Sequence, residues 1–184
     1  MTPDTTATPD TTATPDRTGA PDKTVAPDKT AAPAAASREL VISRVFDAPR
    51  ELVYRAFTDP GQLAQWFGPV GYSVPRDSIE IEPRAGGRER FVMVCDDDPG
   101  RRITIDYTFS EVIENELLAD FCEEGIPGTD GIIRLTSRLE FHDEEGGKTR
   151  LELRAGPFTG HDDDDTRVGW ESSFTKLDAL LKAA

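Results

Sequence analysis

The sequence predicts an α+β fold in which a curved antiparallel sheet of about seven strands wraps around one long C-terminal helix. Hydrophobic and polar residues alternate in several segments between residues 39 and 154, which is typical of strands with one buried face. The period then changes, because large apolar residues recur every three or four positions from Trp170 to Leu181, as on one helix face. The apolar face of the sheet and the apolar stripe of the helix must bury each other.

The first predicted strand leads directly into two short helices. Asp47 is predicted to cap the first helix, and Pro49 suits its first turn. Asp59 and Pro60 repeat this start signal for the second helix, which Gly68 ends.

Six further strands are predicted after these helices. They are expected at residues 78–82, 91–94, 103–109, 117–122, 133–141 and 149–154. A turn is predicted at Asp96–Gly100 and a loop at Glu123–Gly131, because acidic residues and glycines cluster there.

Residues 1–37 are predicted to form a disordered tail ahead of one domain at residues 38–184. Pro-Asp recurs with a period of six from Pro3 to Pro27, and Val25 is the one large apolar residue of this segment after Met1. Such a segment buries too little apolar surface to offset the entropy lost on ordering. We expect an inert solubilising extension; a tether or a segment for threonine modification is the alternative.

Composition excludes several classes of partner. The net charge of −14 repels phosphate backbones, so nucleic acid is not an expected partner. No apolar run approaches the ~18 residues of a membrane span, and no signal peptide is recognisable, so we expect a cytoplasmic protein without membrane insertion. The two cysteines, Cys95 and Cys122, are expected to be free thiols. Oligomeric state is left open.

The space between the predicted sheet and the C-terminal helix is the candidate site. A bent sheet closed by a helix leaves room for a cavity, and small-molecule sites are usually apolar cavities with few polar groups. The residues expected around it are large and mostly aromatic: Trp66, Phe67, Phe91, Met93, Tyr107, Phe109, Phe121, Leu135, Trp170 and Phe174. The alternative is that these side chains fill the interior and leave no cavity.

The sequence contains no recognisable catalytic or metal-binding motif, and no cofactor is expected. Consecutive residues from His161 to Asp165 cannot all face one ion, so we interpret this run as the start of the last helix, where carboxylates favour the helix dipole. His142 is expected to be a solvated residue at a strand end. Asp106 and Asp120 would face the cavity only if the predicted facing of their strands were reversed.

Several motifs carry a resemblance to a known family. They are Phe46-Asp47-Ala48-Pro49, the run from Val53 to Pro60, Trp66-Phe67-Gly68-Pro69, and Gly169-Trp170 followed by Phe174, Leu177 and Leu181. With these motifs in this order, residues 38–184 resemble the Hsp90-ATPase-activator-like (AHSA1-type) branch of the START/Bet v 1 (SRPBCC) superfamily. The resemblance implies a helix-grip fold with an internal cavity.

Three functions are compatible with these observations. The first is non-enzymatic binding or sequestration of a hydrophobic or aromatic small molecule in the cavity. The second, implied by the resemblance, is an interaction module for a chaperone of the Hsp90 type, although the chain resembles only the single activator-type domain. The third is an enzyme of the polyketide cyclase or aromatase kind, whose members act mainly by shaping a reactive substrate and leave little motif to find.

Overall fold

A computed structural model describes residues 38–125, 130–158 and 162–183, and of residues 162 and 163 the backbone alone. The predicted tail at residues 1–37 lies outside these ranges, as does His161.

Three helices and eight strands are formed within the described residues. The helices are α1 (Arg50–Thr58), α2 (Pro60–Trp66) and α3 (Asp162–Lys182). The strands are β1 (Arg38–Phe46), β2 (Tyr72–Ser73), β3 (Glu80–Ile81), β4 (Arg88–Cys95), β5 (Arg102–Ile113), β6 (Leu117–Gly125), β7 (Ile132–Glu144) and β8 (Lys148–Phe158). A 3₁₀ turn at Arg76–Ser78 precedes β3.

All eight strands belong to one antiparallel sheet. Their order is β1-β8-β7-β6-β5-β4-β2, and β3 also pairs with β4. The predicted α+β helix-grip architecture is therefore confirmed, with two short helices after β1 and a long helix at the C-terminal end. The strand missing from the prediction is β2, a two-residue bridge that is too short to produce an alternating pattern.

The predicted loop at Glu123–Gly131 begins later than expected. Residues 123–125 continue β6, because the ladder with β7 extends to the pairing of Gly125 with Ile132. Residues 126–129 lie outside the described residues.

The convex face of the sheet is the wet face. It carries exposed ion pairs between neighbouring strands, such as Arg88 with Asp106 and Arg134 with Glu123. Exposed pairs of this kind contribute little to stability, and the fold depends instead on the apolar concave face.

The starts of the two short helices differ in how they are capped. Asp59 caps α2 as predicted, because its Oδ1 accepts a hydrogen bond from Gln62 N at 2.9 Å. The prediction that Asp47 caps α1 is wrong. The residue at the cap position is Pro49, and no side chain caps this helix. Asp47 lies two residues too early to reach the first turn of the helix, and its carboxylate lies instead 3.6 Å from Lys148 Nζ.

An aromatic cluster joins the helices to the sheet. The side chains of Trp66 and Phe174 are fully buried, and their rings stack with centroids 6.4 Å apart. Phe46 from β1 meets Phe174 edge-on at 5.5 Å, and Phe57 from α1 meets Trp66 at 4.7 Å. The indole N–H of Trp66 donates to the carbonyl of Ala56 at 2.9 Å, so its polar atom is satisfied inside the core.

Lys176 links α3 to the segment that follows α2 through hydrogen bonds. Its Nζ donates to the carbonyl oxygens of Gly68 at 3.1 Å and Tyr72 at 3.0 Å. Burial lowers the pKa of Lys176 from its ordinary value. Gly68 adopts a φ of +93°, which favours glycine, and this lets the chain turn sharply beneath the ammonium group.

Replacing Phe174 with alanine should destabilise the protein by about 3–5 kcal/mol, because it leaves a cavity between α3, α2 and β1. The free energy of unfolding from urea titration measures this. Thr175→Ala, at the exposed neighbouring position, is the control and should change stability by less than about 0.5 kcal/mol. A loss below about 1 kcal/mol for Phe174→Ala would show that the cluster does not hold the helix.

Candidate functional site

A cavity of about 450 Å³ lies between the concave face of the sheet and the N-terminal half of α3. Its walls come from β4 to β8, and Phe57 and the Phe67–Pro69 segment contribute from the short helices and the turn after them. Its size falls within the range of typical small-molecule sites.

The cavity exists because side-chain size changes along α3. Thr166, Gly169 and Ser173 are small and line the cavity in the first half of the helix. In the second half, Leu177 and Leu181 continue the stripe with large side chains that are buried in the core. The same helix therefore leaves space at one end of the sheet and closes the core at the other.

Most of the residues predicted around the cavity do line it. They are Phe67, Phe91, Met93, Tyr107, Phe109, Leu135 and Trp170. Phe67 lies at the centre of the aromatic wall. Its ring meets the ring of Phe91 edge-on, with centroids 4.7 Å apart, and that of Trp170 edge-on at 5.5 Å.

Two predicted residues, Trp66 and Phe174, lie behind the wall rather than in it. Both have no exposed surface and pack against each other in the aromatic cluster. Trp170 and Phe67 contact them from the cavity side, with centroids 5.4 Å from Phe174 and 5.3 Å from Trp66 respectively. These two rings support the lining residues and do not themselves face the cavity.

Phe121 lies on the opposite face of the sheet, so its predicted position in the cavity is wrong. The Arg134 guanidinium lies over its ring, 4.3 Å from the centroid. The sequence does not indicate which side chains of β6 point into the cavity. Four consecutive residues of this strand are buried: Leu117, Leu118, Ala119 and Asp120. A strand buried on both faces shows no alternation.

The reversed facing brings Asp120 into the cavity wall, where its side chain is only 5% exposed. Asp120 lies opposite Phe109 on β5 and opposite Ser137 on β7. The Ser137 hydroxyl donates to Asp120 Oδ1 at 2.8 Å. Asp106, in contrast, lies on the wet face and pairs with Arg88.

A second carboxyl group, that of Glu89, also lines the cavity. Glu89 lies on β4 opposite Tyr107 of β5, so the two acids flank β5 from either side. Sequence analysis missed Glu89, although a signal was present: it lies two residues before Phe91 and four before Met93, in phase with the inward side chains.

Burial controls the protonation of both carboxyl groups. Desolvation, and then the charge of Asp120, raise the pKa of Glu89 to about 8. Desolvation also raises the pKa of Asp120 to about 7, against the opposing effect of the hydrogen bond from Ser137. The cavity therefore contains two acids that exchange protons near neutral pH.

Tyr107, which lines the cavity, also forms a polar contact with Cys122 of β6. Burial, followed by the charge of the Cys122 thiolate and a hydrogen bond to its sulfur, raises the pKa of Tyr107. Burial likewise raises the pKa of the Cys122 thiol, so the thiol is protonated at neutral pH. Both cysteines are free, as expected.

On the wet face, Glu140, His142 and Glu152 place one ligand atom each within 4.8 Å of the others. His142 lies near the end of β7, as expected, but it is half-buried rather than solvated, and its Nε2 has no hydrogen-bond partner among the described residues. Arg138 and Arg150 already pair with the two carboxylates, so the cluster is neutralised by the protein's own cations.

Comparison with known families and structures places this geometry in context. The family model described as Activator of Hsp90 ATPase homolog 1-like protein matches residues 47–182. No curated protein gives a significant sequence match. No helix in the described part of the chain is long and apolar enough to cross a membrane.

Several solved structures share the fold. Protein NE0264 from Nitrosomonas europaea is 24% identical with a TM-score of 0.67, over 82% of this chain and 97% of that one. Protein CV1439 from Chromobacterium violaceum is 23% identical with a TM-score of 0.66, over 78% and 96%. The AHSA1 protein from Silicibacter pomeroyi is 22% identical with a TM-score of 0.65, over 79% and 99%.

Replacing Glu89 with glutamine should change how stability depends on pH. The unfolded chain releases this proton above about pH 4.5, whereas the folded protein holds it until about pH 8. Wild-type stability should therefore fall across this window, and Glu89→Gln should remove the part of that loss that Glu89 causes. The advantage of the variant over wild type should grow by about 1–3 kcal/mol between pH 5 and pH 8.

Chemical denaturation at pH 5, 6.5 and 8 measures the difference, with the exposed Glu51→Gln as the control. An equal difference between wild type and Glu89→Gln at all three pH values would show that Glu89 titrates as an ordinary surface acid.

Proposed function

We propose that this chain, which belongs to the family of Activator of Hsp90 ATPase homolog 1-like proteins, binds or sequesters a hydrophobic or aromatic small molecule in its cavity. The observation that carries the proposal is the 450 Å³ cavity walled by aromatic side chains. Aromatic walls provide a large apolar contact area and stacking geometry for a flat ligand.

Burial of apolar surface is sufficient for useful affinity. Covering roughly 300 Å² of ligand surface gives a gross gain of about 7 kcal/mol at ~25 cal/mol per Å². Association entropy reduces this gain, which leaves affinities in the micromolar range. The walls are rigidly supported, because Trp66 and Phe174 hold Phe67 and Trp170 from behind. A site formed before binding loses little entropy when the ligand enters.

Filling the cavity from α3 tests this proposal. Gly169 lines the cavity, and a Cβ atom added there would meet no atom within 4 Å, so a larger side chain has room to start from this position. Gly169→Leu should lower affinity for the neutral probe 2-(2-naphthyl)ethanol at least tenfold relative to wild type, as measured by isothermal titration calorimetry. The variant should be at least as stable as wild type, because it also removes a glycine from a helix.

Gly169→Ala is the matched control. It makes the same change in helix propensity but fills little of the cavity, so affinity should stay within about threefold of wild type. Two results would contradict the proposal: no binding of the probe by wild type, or equal binding by wild type and Gly169→Leu. The chaperone interaction named in the family description would then become the leading hypothesis.

A further inference from the structure

The charged side chains lining the cavity all carry the same sign. Glu89, Asp120 and Asp165 are acidic, and no lysine, arginine or histidine is found among the described residues of the lining. The net charge of the whole chain is −14. When its acids are ionised, a concave site lined by one sign of charge within a protein of that sign concentrates ligands of the opposite charge.

Asp120 is buried and Glu89 is half-buried, and neither has the cationic partner that enclosed carboxyl groups usually have. Asp120 accepts one hydrogen bond, from Ser137. The Glu89 carboxyl group receives none from any donor in the described part of the chain, and neither acid forms an ion pair there. Ionised carboxyl groups removed from water without a cation are costly for the protein. A cation that contacts both acids would donate a charge-assisted hydrogen bond to each.

The surroundings of the pair specify an organic cation. Tyr107, Phe91 and Phe109 lie beside the two acids and continue into the apolar body of the cavity. An ammonium group has three donors on a compact nitrogen, which suits two acceptors on strands that flank β5. Aromatic faces provide a further attraction for the cation.

We propose that the ligand of this cavity is a hydrophobic or aromatic amine whose protonated nitrogen lies between the carboxyl groups of Glu89 and Asp120. This inference rests on the proposed function, because it names the chemical class of ligand for the same cavity. The amine class is the new element, and it depends on the two acids alone.

Binding of such a cation must release protons. Near neutral pH the pair holds protons that the bound ammonium displaces to solvent, and no other group is consumed. The other titratable groups around the pair are Tyr107 from β5, Cys122 and Glu124 from β6, and Asp165 from α3. Amine affinity should therefore rise between pH 6 and pH 8.5.

Three probes that share one aromatic body test the inference by calorimetry at pH 7.5. They are 2-(2-naphthyl)ethylamine, 2-(2-naphthyl)ethanol and 2-naphthylacetate, which carry a positive, a neutral and a negative group. Wild type should bind the amine at least about tenfold more tightly than the alcohol, and the acetate least tightly. The amine preference should persist in 0.5 M NaCl, because a buried contact is poorly screened.

Variants of the pair locate the preference. The double variant Glu89→Gln with Asp120→Asn should bind amine and alcohol with similar affinity, while its alcohol affinity stays within about threefold of wild type. The control double variant Glu51→Gln with Glu145→Gln removes the same charge from exposed positions and should keep the preference. If the cavity variant does not fold, Glu89→Gln alone should still reduce the preference at least threefold.

The outcomes separate the two proposals. Equal affinity of wild type for amine and alcohol overturns the amine inference and leaves the proposed function intact. A preference that survives in the double cavity variant also overturns it, because the charge would then act from elsewhere. Failure of every probe to bind, or binding unaffected by Gly169→Leu, overturns the proposed function itself.

Discussion

The concave face of the sheet is covered by α3, whose large apolar side chains begin only at Trp170. From Phe174 onward the helix seals the core against β1 and the two short helices. Before Trp170 the residues of α3 that line the cavity include Thr166 and Gly169, whose small side chains leave this part of the sheet uncovered. Both the stability of the domain and its cavity follow from this one change of side-chain size along a helix.

The cavity also explains an energetic anomaly in the sheet. Two acids are placed on a concave apolar surface, where their charged forms are poorly solvated and burial raises their pKa. A domain of this size gains nothing in stability from such groups when they are ionised. Their position in the wall of an otherwise apolar cavity is better explained by a ligand than by folding, and a protonated amine is the ligand chemistry that we propose for it.

Local sequence signals were reliable where one local interaction decides the structure. Asp59 caps α2 because its carboxylate accepts a hydrogen bond from the backbone amide of Gln62, three residues later, and this contact depends on no distant part of the chain. The stripe of α3 was equally readable, because the helix has one buried side. Asp47 shows the limit of such signals, since the residue at the cap position turned out to be Pro49. Most of the aromatic wall could be predicted from the strand pattern. Alternate residues of a strand lie on the same face of the sheet, so the apolar ones indicate which side chains face the cavity.

The sequence by itself therefore determined the order of elements, the sheet with one wet face, the C-terminal helix and most of the lining. Only the tertiary structure decided the facing of β6, which turned Phe121 outward and Asp120 inward. It also decided that Trp66 and Phe174 support the cavity from behind. The physical reason is that a strand buried on both faces has no polar alternation, and that an unfilled volume is a property of several elements together, which no single segment encodes.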